Sequence, residues 1–250
     1  MSSANSTADR AIDILLLFDE DHPILSATEV AKHFKMARST AYRYLTSLRA
    51  KGLIVQKDEG FGLGHKIFVL ARAARVSFDI LDLVEPELKA LQKKTGETIL
   101  FVERRNDEIV VLESIESKHP MRITYGRGAI FPFPAGASAR IFVAFSPNNE
   151  VNHISDHNPL NRYTNNTIVD PVDLQKEIDL VRRRGYAVNH GEIDDGVSAI
   201  SAPILNKEGY VEYAVTVVGP SSRITTRKVD AIKDLVCETA KHLSSKIFSA

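Results

Sequence analysis

The chain has 250 residues, whereas a single domain usually has roughly 100 to 200, so we expect two folded units. The composition is 44% hydrophobic and 26% charged, which is typical of a globular protein and excludes a collagen, a fibre or a disordered tail. Basic residues (32) and acidic residues (32) balance, so the total charge does not point to a nucleic-acid partner.

The charge is unevenly distributed along the chain, however. Residues 30–57 contain seven lysines and arginines and no aspartate or glutamate. The other 222 residues carry 25 basic and 32 acidic side chains, a net charge of −7. The neutral total therefore hides a short cationic unit attached to a larger acidic body.

No feature of the sequence indicates export or a membrane. The single cysteine, Cys237, cannot form an internal disulfide, which suits a reducing compartment. No apolar run approaches the ~20 residues that cross a bilayer, and the N-terminus lacks the basic start and apolar core of a signal peptide. We expect a cytoplasmic protein without membrane contacts.

The N-terminal pattern predicts a winged helix-turn-helix domain over residues 1–66. Apolar residues at helical spacing mark a first helix over 8–18, and the sequence Ser-Ala-Thr-Glu at 26–29 is a capping box that begins a second. A third helix is predicted over 38–50. Residues 53–64 then indicate a β-hairpin around an Asp-Glu-Gly turn, which supplies the wing.

The third helix carries the predicted DNA contacts on its outward face. Ala41, Leu45 and Leu48 fall on one face at about 100° per residue, so the polar residues between them point away. In the major groove, Arg43 is the predicted base contact, and the helix N-terminus is expected to hold phosphate. A solvated basic helix is the alternative, but it does not explain the capping box, the hairpin or the acid-free run. The predicted DNA-binding residues are Arg38, Ser39, Thr40, Tyr42, Arg43 and Thr46.

The rest of the chain predicts a helical linker over residues 67–94, interrupted at Pro86, and then an α+β domain over 95–250. The predicted strands are grouped, so one sheet with helices packed on it is expected. The predicted strands are residues 98–104, 109–115, 121–126, 186–188, 197–205 and 210–218, and the predicted helices are 136–145, 171–184 and 224–248.

Short motifs occur in a fixed order along nearly the whole chain: residues 11–15 (Ala-Ile-Asp-Ile-Leu), 38–45, 62–64, 95–98, 181–187, 191–197 with 202–203, and 218–220. Together they resemble the IclR family of bacterial transcriptional regulators. The resemblance implies a DNA-binding homodimer, often assembled into tetramers. It also implies a C-terminal GAF-like domain that binds a small organic effector, commonly a carboxylate or an aromatic metabolite. We expect repression rather than activation of transcription, because no activation surface is recognisable.

The sequence departs from the family pattern at three places. Ala139 and Arg140 stand where the family usually has Gly-Lys, and Ala199 stands where it commonly has cysteine. These positions lie near the expected pocket, so they affect which effector is bound. Lys35 occupies the helix-turn-helix connector where glycine is frequent, and we expect a slightly strained turn there.

The predicted effector site joins a helix start to a loop and a strand. The N–H groups at the start of the helix at Gly136 would seat a carboxylate. Asp194 and Asp195 either select a ligand with hydrogen-bond donors or simply cap a turn. Ser198 and Ser201 are three residues apart, so at most one should face the ligand. The predicted effector-binding residues are Gly136, Ala137, Ser138, Asp194, Ser198 and Ser201.

A metabolic enzyme fused to a helix-turn-helix is the alternative function. The sequence at 136–140 lacks the second glycine of a nucleophile elbow, and no dinucleotide or phosphate-loop motif is present. Cys237 lies among apolar residues of a predicted helix, where a packed thiol is expected. His153 and His157 have helical spacing for a metal, but the asparagines around them favour a solvated loop. We therefore predict no catalytic residues, no cofactor and no metal.

Overall fold

The computed structural model describes residues 7–19, 21–76, 79–147 and 160–248. Contacts between Cα atoms divide the chain into two compact units, with the boundary between Asp79 and Ile80. No helix in these described ranges is long and apolar enough to cross a membrane.

The first unit combines helices with a small antiparallel sheet, in the strand order β1-β3-β2. Its described elements are α1 (Thr7–Leu15), β1 (Ile24–Leu25), α2 (Ala27–His33), α3 (Arg38–Ala50), β2 (Ile54–Lys57), β3 (Gly60–Leu63) and α4 (Lys66–Val76). The helix-turn-helix and hairpin agree with the prediction, although α1 ends at Leu15 rather than at residue 18. The two-residue strand β1 was not predicted.

Local sequence signals explain where these elements begin. Ser26 Oγ accepts a hydrogen bond from the Glu29 N–H at 3.2 Å, and Glu29 Oε2 accepts one from the Ser26 N–H at 2.7 Å, so the predicted capping box is confirmed. The predicted inward face of α3 is also confirmed, since Ala41, Leu45 and Leu48 are buried. They pack with Ile14, Leu25, Val30, Ile54 and Phe61.

Two unusual backbone positions shape this unit. Lys35, in the connector between α2 and α3, has a φ of +50°, which a side chain with a Cβ adopts at a cost in strain. The expected strained turn is therefore present. Gly60 lies so close to β1 that a Cβ atom there would be 2.6 Å from the Leu25 carbonyl oxygen, so β1 can pair with β3 only because position 60 is glycine.

The second unit is a six-stranded antiparallel sheet, in the order β6-β5-β4-β9-β8-β7, with helices on both faces. The helix α6 packs with α7 on the face that contains the largest apolar cluster, and α8 packs on β8 and β9. The elements are α5 (Asp79–Thr95), β4 (Thr98–Arg105), β5 (Glu108–Ile115), β6 (Ile130–Pro132), α6 (Gly136–Ala144), α7 (Pro171–Arg184), β7 (Ala187–His190), β8 (Val197–Leu205), β9 (Val211–Pro220) and α8 (Thr226–Phe248). The predicted α+β class, with a helix-turn-helix followed by an α/β domain, is confirmed.

Two predicted features of this unit are wrong. Residues 121–126 form a loop rather than a strand, because the carbonyls of Met121 and Ile123 accept side-chain hydrogen bonds from Arg223 and Thr98 instead of pairing with a strand. Strand β6 occupies that sheet edge instead. Helix α5 also continues through Pro86. Proline removes one N–H from the helix, and burial of flanking residues such as Val84 and Leu88 offsets this loss.

Candidate DNA interface and effector site

The first turn of α3 is open to an external ligand. Its N-cap residue, Ala37, makes no capping hydrogen bond through its side chain, and no acidic residue lies in the turn. Arg38 and Ser39 are exposed there, while Thr40 is half-buried. Free N–H groups, the positive end of the helix dipole, a guanidinium and a hydroxyl together suit a phosphate group.

The outward face of α3 continues with two larger side chains. The Tyr42 side chain is half exposed, and its ring meets the Phe61 ring of the wing edge-on, with centroids 6.1 Å apart. Arg43 is exposed and lines a groove with Thr40 and Tyr44. No described carboxylate forms an ion pair with the Arg43 guanidinium, so it is available for an external partner.

Thr46 does not fit the predicted outward face. It is half-buried, and its hydroxyl oxygen is buried without a hydrogen-bond partner in the described part of the chain. Helical periodicity places Thr46 on the polar face, but α3 also contacts β2, and this tertiary contact is not visible in the periodicity. The prediction that Thr46 points outward is therefore wrong.

The tip of the wing is acidic. Asp58 and Glu59 form the turn between β2 and β3, and both are exposed. Two carboxylates at the tip repel phosphate, so the cationic character of this unit is concentrated on α3 and its connectors rather than on the wing.

A small cavity of about 40 Å³ lies in the second unit between the start of α6, the loop 121–129 and strands β8 and β9. Its walls are largely apolar, and its polar side chains are Tyr125, Ser138, Asn189, Asp194 and Thr216. The predicted positions Gly136, Ala137, Ser138 and Asp194 all line it, as do Ala139 and Ala199, two of the residues that depart from the family pattern.

The start of α6 directs backbone groups towards this cavity. Its N-cap, Ala135, provides no capping side chain, so the N–H groups of the first turn lack a side-chain acceptor. Gly136 has a φ of +83°, and a Cβ atom there would lie 2.7 Å from Ile193 Cδ1. Position 136 therefore needs glycine for both its conformation and its packing.

Hydroxyl groups line the deep side of the cavity. Ser138 Oγ lies 2.9 Å from Thr216 Oγ1, which donates to Ser201 Oγ at 2.8 Å. Ser201 is thus on the cavity face of β8 but behind Thr216, and it does not line the cavity.

Ser198 lies on the other face of β8. Its hydroxyl is 3.1 Å from His190 Nδ1 and 2.8 Å from Ser221 Oγ. Ser198 therefore does not line this cavity, because successive strand residues alternate between the two faces. Ser201 does not line it either, and its hydroxyl is hydrogen-bonded to that of Thr216, which does. The expectation that at most one of the two serines faces the ligand agrees with this geometry.

The mouth of the cavity is closed by a contact between two loops. The Tyr125 hydroxyl donates a hydrogen bond to Asp194 Oδ2, and the Tyr125 ring packs edge-on against Phe131 at 4.7 Å. Burial, reinforced by the bond to Asp194, raises the pKa of Tyr125 above its ordinary value, so the phenol keeps its proton and donates. Asp195 is exposed, as Asp194 is, but it does not line the cavity.

A buried ion pair lies beside the cavity. Arg140 Nη1 donates to both carboxylate oxygens of Glu192 at 2.7 and 2.6 Å, and Nη2 donates to the Val188 carbonyl. Both side chains are nearly inaccessible to solvent. The pair joins α6 to the loop 191–196, which carries Asp194.

Sequence reasoning missed Tyr125, Asn189, Thr216 and the Arg140–Glu192 pair. Thr216 had a usable signal, since it is a polar residue within an apolar strand. The Tyr125–Asp194 and Arg140–Glu192 contacts had none, because their partners are 69 and 52 residues apart.

A metal site is not visible in the described ranges, where no group of three or more His, Cys, Asp or Glu side chains could hold an ion. His153 and His157 lie outside the described residues.

A winged helix-turn-helix unit joined to an α/β unit with a largely apolar cavity that also contains polar side chains defines a ligand-responsive transcriptional regulator. Residues 7–58 match the model of the IclR helix-turn-helix domain, and residues 72–245 match that of the bacterial transcriptional regulator IclR C-terminal domain. The chain belongs to the IclR family. It is a DNA-binding regulator with an effector-binding C-terminal domain, and it is not an enzyme.

Curated relatives match over almost their whole length. The chain is 27% identical to the HTH-type transcriptional regulator KipR of Bacillus subtilis over 248 residues, covering 99% of each chain. It is 26% identical to the transcriptional repressor IclR of Escherichia coli over 239 residues, covering 94% of this chain and 87% of the repressor.

Solved structures show the same fold. An IclR transcriptional regulator from Alicyclobacillus acidocaldarius has a TM-score of 0.84 and 25% identity, covering 96% of this chain and 97% of that one. An IclR homologue from Microbacterium hydrocarbonoxydans, crystallised with 4-hydroxybenzoate, has a TM-score of 0.82 and 20% identity, covering 98% of this chain and all of that one.

Proposed function

We propose that this regulator is a repressor that reads its operator through α3. The observation that carries the proposal is the open first turn of this helix, next to an exposed and unpaired arginine, within an acid-free segment. Arg38, Ser39 and Thr40 hold phosphate, Arg43 contacts a base edge in the major groove, and Tyr42 flanks it. Residues 1–66 bind DNA, residues 67–94 form a helical linker between the two domains, and residues 95–250 bind the effector. The protein acts in the bacterial cytoplasm, where the chromosome lies.

The proposal includes assembly into a homodimer, with a tetramer as the larger alternative. Helix α4 exposes three consecutive apolar side chains: Phe68 is 80% exposed, and Val69 and Leu70 are about half exposed. Ile12 on α1 and Leu16, the residue that follows α1, are exposed as well. A second copy of the chain that covers these surfaces explains why they are apolar.

The effector we propose is a small molecule with a carboxylate or carbonyl group, bound at the start of α6. The uncapped N–H groups of the first turn of α6 supply the donors for such a group, and Asn189 Nδ2 lies beside them. An engineered cavity of about 150 Å³ holds benzene, whereas this cavity has about 40 Å³. A short aliphatic molecule therefore fits this cavity better than an aromatic ligand such as the 4-hydroxybenzoate bound by the Microbacterium protein.

The experiment that tests the DNA contact compares Arg43→Ala with wild type on an operator selected from random duplexes and on a scrambled duplex. Losing a bidentate base contact costs ~1 to 3 kcal/mol, so we expect operator affinity to fall about 5- to 150-fold. Affinity for the scrambled duplex should change little. Arg49→Ala, at the other end of α3, is the matched control, and we expect it to retain the preference for the operator.

The dependence of affinity on salt separates the two possible roles of Arg43. A base contact leaves the slope of log affinity against log salt unchanged, whereas a phosphate contact lowers it by about one. If Arg43→Ala weakens binding to both duplexes equally and reduces the slope, Arg43 is a phosphate contact and the proposed role is wrong.

A further inference from the structure

The effector cavity has two ends of opposite hydrogen-bonding character. At the buried end are donors: the first-turn N–H groups of α6 and the Asn189 amide. The Ser138 and Thr216 hydroxyls also lie there, but their hydrogens are used in the chain from Ser138 to Thr216 and from Thr216 to Ser201. Asn189 Oδ1 accepts from a backbone N–H, and Nδ2 lies 3.7 Å from the place a Cβ would occupy at Gly136. At the exposed end is Asp194, whose ionised carboxylate only accepts hydrogen bonds.

The side chain of Asp194 does not cap its own turn. The turn is closed by backbone bonds, including one from the Val197 N–H to the Asp194 carbonyl oxygen. The only hydrogen bond to the Asp194 carboxylate from a described residue comes from Tyr125. An ionised carboxylate has about four acceptor sites, so Asp194 has capacity for a donor on a ligand in the cavity.

The position of Asp194 is fixed before a ligand binds. In the loop that carries it, the carbonyl of Gly191 accepts from the Thr164 hydroxyl, and the carbonyl of Glu192 accepts from the Thr167 hydroxyl at 2.6 Å. Arg140 holds the Glu192 side chain from the α6 side. Because these bonds hold the loop from two sides, the turn at 164–167 and α6, the carboxylate needs little reorganisation to meet a ligand.

The charge of the residues that line the cavity also restricts which ligands can bind. Asp194 is the one charged side chain among the described residues that line the cavity, and no lysine, arginine or histidine is among them. A simple monoanion therefore finds neutral donors at one end and a carboxylate at the other. A ligand that also carries a hydrogen-bond donor converts this second, unfavourable contact into a favourable one.

We infer that Asp194, supported by Tyr125, selects effectors that carry a hydroxyl or amino group opposite their carboxylate or carbonyl group. The chemical class is a short-chain hydroxy or amino acid, or the corresponding amide. The inference rests on the effector-binding site proposed above at the start of α6, which is called the seat below. Tyr125 closes the mouth and orients the carboxylate, while Asp194 makes the selective contact.

The test uses the full-length protein, calorimetric titration and two pairs of probes that differ by one hydroxyl: propanoate with 3-hydroxypropanoate, and propanamide with 3-hydroxypropanamide. We expect the hydroxylated member of each pair to bind wild type about 10-fold or more tightly than its partner, as a hydrogen bond to a charged group would give. Asp194→Ala should abolish this difference. Asp195→Ala, which removes the adjacent exposed carboxylate, is the matched control and should retain it.

Two further variants distinguish an error in the proposed binding site from an error in the role of Asp194. Tyr125→Phe preserves the ring and removes the bond that orients the Asp194 carboxylate, so the preference for hydroxylated probes should decrease but persist, because the loop bonds still hold Asp194. Ser138→Trp fills the seat and should abolish binding of all four probes. If Ser138→Trp abolishes binding but wild type does not distinguish the members of a pair, the seat is correct and the role of Asp194 is overturned. If Ser138→Trp binds the probes normally, the seat itself is wrong. If no probe binds wild type, both the seat for short-chain ligands and the inference are overturned.

Discussion

Removing Arg140 should destabilise the C-terminal unit severely, because its partner cannot return to water. The Arg140 side chain is 2% exposed and that of Glu192 is 10% exposed. In Arg140→Met, the Glu192 carboxylate stays buried and loses both of its hydrogen bonds from the guanidinium. Breaking a buried pair in this way costs ~3 to 5 kcal/mol.

Calorimetry gives the corresponding shift in melting temperature. For a unit of 150 to 250 residues, each kcal/mol shifts the melting temperature by ~2 to 4 °C, so the transition of the unit Ile80–Ala250 should fall by about 6 to 20 °C. The transition of the N-terminal unit should not move.

The double variant Arg140→Met/Glu192→Met separates the effect of an unpaired charge from that of lost packing. Replacing a whole buried pair with apolar side chains is often neutral or stabilising, so the double variant should recover most of the lost stability. If it is as unstable as Arg140→Met, or if Arg140→Met shifts the transition by less than about 2 °C, the reasoning from desolvation is wrong.

Two other substitutions test the N-terminal unit. Lys35→Gly should raise the free energy of unfolding of the N-terminal unit by about 0.5 to 1 kcal/mol in urea titrations, because glycine adopts the φ of +50° without strain. A loss of stability would show that the Lys35 side chain itself stabilises the turn. Phe68→Asp should sediment as a monomer at micromolar concentration, since a charge cannot be buried against a second copy of α4. The control Ile24→Asp changes an exposed apolar residue outside α4 and should remain dimeric. A monomeric wild type would refute the dimer.

Short-range signals made the helix-turn-helix predictable. The capping box at Ser26 and the buried face of α3 depend on residues three or four apart, and both appear in the structure as predicted. Thr46 shows the limit of this reasoning, because helical periodicity does not report which neighbouring element covers a flank. Pro86 shows the same limit, since burial of the apolar face of α5 outweighs the local preference of proline.

The effector site was only half predictable. The start of α6 and Asp194 could be proposed from a helix-start motif and a polar loop, and both line the cavity. Tyr125 could not, because it lies in a stretch whose alternation predicted a strand and its partner is 69 residues away. Such loop contacts depend on tertiary packing, and they leave no period in a single sequence.

The central claim is that a small molecule in this cavity controls operator affinity, and its most direct test is a linkage measurement. Operator affinity is measured for wild type and Ser138→Trp, each with and without a saturating concentration of 3-hydroxypropanoate. We expect the probe to shift wild-type operator affinity about 5- to 150-fold, operator DNA to shift the affinity for the probe by the same factor, and Ser138→Trp to show no shift. An unchanged wild-type affinity at saturation, or an equal shift in Ser138→Trp, would contradict the claim.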